Sequence, residues 1–148
     1  MPPETGPGWV RGTFVVPSVS NIAANPHFAG TGAVTIVLSY NLGFKAVLEG
    51  LDFITTTTIA ATAGSQVFKL RKGNASGTVL ATLTVALANA DALGEVVQAD
   101  VAAADLDDAT LSDSDTFSIT RDASGTDYTT EPEGQFVVRF RQRPQRAF

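Results

Sequence analysis

The stretch Gln135-Phe136-Val137-Val138-Arg139-Phe140-Arg141 decides the fold class. Phe136, Val138 and Phe140 stand two residues apart, and successive side chains of an extended chain point to opposite faces. These three therefore share one face, while Arg139 and Arg141 take the other. A helix would scatter the same residues around its circumference. One dry face and one wet face identify an antiparallel strand laid over a core.

The same period recurs upstream. Val67-Phe68-Lys69-Leu70-Arg71 turns Phe68 and Leu70 inward, and Thr116-Phe117-Ser118-Ile119-Thr120 does so with Phe117 and Ile119. Between Lys72 and Thr78 lies Gly73-Asn74-Ala75-Ser76-Gly77, whose glycines and asparagine tolerate the positive φ of a tight reversal, so a hairpin is predicted there. Its second strand, residues 78–87, places Val79, Ala81, Leu83, Val85 and Leu87 on one side and Leu80, Thr82 and Thr84 on the other. Further strands are expected near residues 12–16, 33–40, 44–60 with a bend or bulge at Gly50, and 95–102, which makes about eight. Helical signals are confined to residues 102–111, where Asp105 is expected to cap a single turn.

Short strands at regular spacing with no long helix between them predict an all-β fold: a two-sheet antiparallel sandwich, jelly-roll-like, with extended arms at both ends. The boundaries read as an N-terminal arm over residues 1–11, a β-sandwich domain over 12–143 and a C-terminal arm over 144–148. Three of the seven prolines fall in the first ten residues, and Arg143-Pro144-Gln145-Arg146-Ala147-Phe148 holds another. Proline cannot donate to a central ladder, so both ends read as arms. Trp9, the only tryptophan, and Phe148 gain by being covered, which marks them as contact residues.

At 148 residues the chain has the length of one domain with one core. It has no cysteine, which removes disulfides, thiolate metal sites and thiol nucleophiles. The first residues have neither the basic nor the apolar region of a signal peptide, and no stretch approaches the roughly 20 apolar residues of a membrane helix. A net charge of −5 argues against nucleic acid as partner. Twelve of the 15 acids lie between Asp91 and Glu133, whereas seven of the ten bases lie in 69–72 and 139–146. An electrically two-sided molecule is expected from that division.

Enzyme motifs are missing where they are sought. His27 is the only histidine, within the loop-like Asn25-Pro26-His27-Phe28, and no serine sits in a G-x-S-x-G elbow. Neither Gly6-Pro7-Gly8 nor Gly30-Thr31-Gly32 completes a phosphate loop. The segment from Asp105 to Asp115 is the one place for a hard cation, but its spacing puts Thr110 and Thr116 where a calcium-binding EF-hand loop needs glycine and glutamate. Neither an enzyme nor a cofactor is expected. A sugar-binding surface would need exposed rings, and Trp9, Tyr40 and Tyr128 are the main candidates left outside the inward phase.

Several stretches resemble a group of small phage virion proteins: Ile59-Ala60-Ala61-Thr62-Ala63-Gly64-Ser65-Gln66-Val67-Phe68-Lys69-Leu70-Arg71-Lys72-Gly73-Asn74, Thr82-Leu83-Thr84-Val85, Ala109-Thr110-Leu111-Ser112-Asp113-Ser114-Asp115-Thr116-Phe117-Ser118-Ile119, and Phe136-Val137-Val138-Arg139-Phe140. Ser114 departs from the glycine usual before the aspartate. The resemblance implies a jelly-roll-like sandwich used as a head decoration, or cement, protein, with a tail or fibre module that binds host surface glycan as the alternative. It carries no catalytic residues. The expectation is a protein made in the host cytoplasm and placed on the capsid surface of the virion. Its partners would be the major capsid protein and other copies of itself, as a homotrimer, and neither nucleic acid nor membrane. Contacts are assigned to Trp9, Arg11, Arg139, Arg141, Arg143 and Phe148. The basic strand faces are expected either to be salt-bridged or to dock on an acidic partner.

Overall fold

The computed structural model describes residues 10–15, 33–60, 63–122, 125–128 and 132–142. Within them the alternating segments become strands β1 (Val10–Val15), β2 (Val34–Asn41), β3 (Ala46–Thr55), β4 (Ser65–Lys72), β5 (Val79–Ala86), β6 (Val96–Asp100), β7 (Thr110–Leu111), β8 (Thr116–Arg121) and β9 (Gly134–Gln142). All eight expected strands form, and β7 adds a two-residue pairing with β3. The first sheet runs β1-β9-β3-β6 and the second β2-β8-β4-β5, all antiparallel. First pairs with last, second with second-last, third with sixth and fourth with fifth. That nested order is the jelly roll, a long antiparallel ribbon folded over so that its two layers face each other.

The inward phase supplies the core. Phe53, Phe68 and Phe117 are fully buried together with Leu48, Leu51, Leu70, Leu83 and Ile119. Phe136 of β9 joins the two layers, its ring 5.3 Å from that of Phe53 in its own sheet and 4.8 Å from that of Phe68 in the other. Each such ring contributes about 1.5–3 kcal/mol by leaving water. At the side where β1 and β2 are the outermost strands, Phe14 packs 4.1 Å from Tyr40 and 5.7 Å from Phe117, which ties the layers there.

The β4–β5 hairpin forms as its turn residues predict. Lys72 N–H donates to the Thr78 carbonyl at 2.9 Å, Gly77 N–H donates to the Asn74 carbonyl at 2.9 Å, and Gly73 takes a φ of 80°. One detail differs: pairing passes from Leu70–Ala81 directly to Arg71–Val79, so Leu80 is a bulge residue. Leu80 and Ala81 are consequently both buried, whereas alternation alone puts Leu80 outside.

Three other expectations need correction. β1 begins at Val10, so Val10 and Arg11 belong to the sheet and not to the arm. β3 ends at Thr55, short of residue 60. The turn after β6 is a three-residue 3-10 helix, Ala103–Asp105, with Ala102 at its N-cap and no side-chain cap. Asp105 instead closes the turn through its backbone, its carbonyl accepting from Ala109 N–H at 2.9 Å. The bulge expected at Gly50 is present, because pairing with β9 steps from Leu48–Phe140 to Gly50–Arg139 and leaves Glu49 as the extra residue.

Candidate functional site

Val10 and Gln142 are register partners in the β1–β9 ladder. The segments 1–9 and 143–148 therefore join the sandwich at one corner of one sheet. Trp9, Arg143 and Phe148 lie outside the described residues, as does His27. The other three assigned contacts, Arg11, Arg139 and Arg141, stand on the outer face of the two strands that end at this corner.

These arginines are engaged within the chain. Arg139 lies opposite Gly50 in β3, and Gly50 lies opposite Asp100 in β6. With no side chain at Gly50, the guanidinium crosses the middle strand: Arg139 Nη2 donates to Asp100 Oδ1 at 2.5 Å, and Nε donates to Asp52 Oδ2 at 2.8 Å. A methyl group on Gly50 would lie 2.5 Å from the Ala99 carbonyl oxygen and overlap the guanidinium. Burial disfavours the charge on Arg139, but the bonds to Asp100 and Asp52 and the charges of both outweigh it and raise its pKa.

The bulge residue Glu49 serves the neighbouring pair. Its carboxylate lies 3.5 Å from Arg11 Nε and 3.4 Å from Arg141 Nε. Three cations and three anions thus interleave across β1, β9, β3 and β6. Arg139 and Arg141 are spoken for by Asp52, Asp100 and Glu49, whereas the Arg11 side chain stays 78% exposed. The salt-bridged alternative for the basic strand faces is the one realised for Arg139 and Arg141. The two basic segments do not share a sheet: Lys69 and Arg71 lie on the one opposite Arg139 and Arg141. Sequence reasoning missed Glu49, Asp52 and Asp100 as partners, although Gly50 inside an apolar strand was the available signal.

Neither tyrosine is a free platform. Tyr128 is buried and its hydroxyl donates to the Val85 carbonyl at 2.6 Å. Burial also pushes its pKa above the ordinary 10.0. Tyr40 is 40% exposed but packs against Phe14. In the acidic segment, Asp115 Oδ2 accepts from Ser112 N–H at 2.8 Å, and this bond holds the Asp115 carboxyl below its ordinary 3.8. Among the described residues no three histidine, aspartate or glutamate side chains converge as a metal site would require. No helix there is long and apolar enough to cross a membrane.

Comparison of the chain with family models, with curated proteins and with solved structures returns no match.

Proposed function

We propose that this chain is a structural phage virion protein that decorates the outside of the capsid and reinforces contacts between capsomers. The observation that carries this reading is the shared corner: Val10 and Gln142 are register partners on adjacent strands, so the sequences that hold Trp9, Arg143 and Phe148 start from one place. Two arms from one corner suit a clamp across a seam in an acidic or mixed surface. The arginine–carboxylate lattice has a positioning role here, fixing β1 to β9 and β9 to β3 so that a pull on either arm is borne by the sheet. Repetition by threefold symmetry would turn modest contacts into firm attachment, with the major capsid protein as partner. Fold alone does not carry the assignment, since jelly rolls serve many purposes.

Quantitative mass spectrometry of purified particles of the encoding phage tests it. Copies in simple ratio to the major capsid protein are expected, whereas a handful per particle would indicate a tail part and overturn the head assignment. Deleting residues 1–9 should leave the β-type circular dichroism spectrum intact while particle attachment falls. Undiminished attachment would remove this arm from the mechanism.

A further inference from the structure

We propose that the cleft on the outer face of the second sheet, between Arg71 and Lys69 of β4, Thr120 of β8 and Thr35 of β2, binds an oxoanion, a carboxylate or phosphate-type group. Register builds the cleft: Thr35, Thr120, Lys69 and Thr82 are successive partners across all four strands, and Arg71 follows two residues beyond Lys69. Its volume is about 280 Å³. That is room for a small anion and several waters, each water occupying roughly 30 Å³.

The donors are in excess. A guanidinium has five N–H groups. Arg71 spends one from Nε on Thr120 Oγ1 at 3.1 Å and one from Nη1 on the Gly77 carbonyl at 2.9 Å. These bonds fix the half-buried group in place and leave three N–H groups unspent among the described residues. Among the described residues no carboxylate pairs with Arg71. Thr120 is only 8% exposed, and its oxygen already accepts from Arg71, so its own hydrogen remains to be donated. Thr35 adds an exposed hydroxyl. Among the described residues of the wall the one carboxylate is Asp122, which is held by Lys69 at 2.6 Å. A ligand for this constellation must accept without donating and carry negative charge, which describes an oxoanion.

The test is a pair of titrations of the full chain by two-dimensional ¹H–¹⁵N NMR, with sodium phosphate and with sodium acetate, against sodium chloride at matched ionic strength. Saturable shifts of the Arg71 Nε–H and Thr120 amide signals are expected. Saturation by acetate alone identifies a carboxylate and by phosphate alone a phosphate-type ion, and either bears the proposal out. Arg71→Lys should weaken binding about fivefold, because an ammonium group has no planar fork. Thr120→Val removes a hydroxyl at constant volume and should weaken it about threefold, so it carries the test if the lysine variant does not fold. Shifts that stay linear and match chloride, or a dissociation constant unmoved by both substitutions, would overturn it.

Discussion

Arg11 and Arg141 stand directly opposite each other across β1 and β9, and the carboxylate of Glu49 lies within 3.5 Å of both. Like charges in facing positions repel, so the bulge that turns Glu49 toward them is what makes the pairing tolerable. Glu49→Gln should therefore destabilise the protein by about 0.5–1 kcal/mol, a modest figure because Arg11 is largely in water. Urea denaturation checks this. The loss should shrink in high salt, which screens the exposed arginine from its neighbour.

Gly50 is the gap through which Arg139 reaches Asp100. Gly50→Ala should expel the guanidinium from the crossing and cost about 2–3 kcal/mol in urea denaturation, through overlap and through loss of partners for the buried Asp52. Arg139→Met strands the same carboxylate and should cost a similar amount. Adding Asp52→Leu to Arg139→Met should recover part of the loss, since the uncompensated charge is gone. A double variant no more stable than the single one would place the cost elsewhere.

Tyr128→Phe removes the hydroxyl that bonds the Val85 carbonyl and should cost about 1 kcal/mol at neutral pH. Because burial raises the folded pKa of Tyr128, the neutral phenol is the favoured form, and its contribution is whole below the ordinary value of 10.0. It fades as the pH climbs from there toward the folded value. Thermal melts of the two proteins should thus converge under alkaline conditions, and a constant gap would contradict the burial of this ring.

Asp115 acts in the opposite direction. Its folded pKa is lowered, chiefly by the Ser112 N–H bond, so its contribution is present above the ordinary 3.8 and disappears as the pH falls through the lowered value. Asp115→Ala should melt below the parent at neutral pH, with the difference closing in acid as the pH falls below the ordinary 3.8. Melts that differ equally at both would assign the effect to packing.

Fold class was legible because it rests on local spacing. Phe136, Val138 and Phe140 announce their face without reference to any other strand, and Gly73 with Asn74 marks a reversal through residues that are themselves in the reversal. Gly50 stood out within an apolar run for the same reason. The partners of the arginines were not legible. Asp52 and Arg139 are 87 positions apart, and which carboxylate faces which guanidinium depends on register between strands that no local pattern fixes. Leu80 shows the limit at close range: one bulge inverts a side chain that alternation assigns with ease. Tyr128 reads as a free ring because its neighbours in sequence are polar, while its cover comes from β5.

The nested strand order also governs when the fold can be completed during synthesis. β1 and β2 are made first, yet their partners β9 and β8 are made last, and β3 pairs on one side with β9. A growing chain on the ribosome can zip β4 to β5 and β3 to β6, but it must hold its first two strands single until residues 116–142 emerge. Such distant pairings are slow to form and leave apolar edges waiting in the meantime. Any truncation before β9 should therefore yield an incomplete sheet rather than a smaller version of this protein.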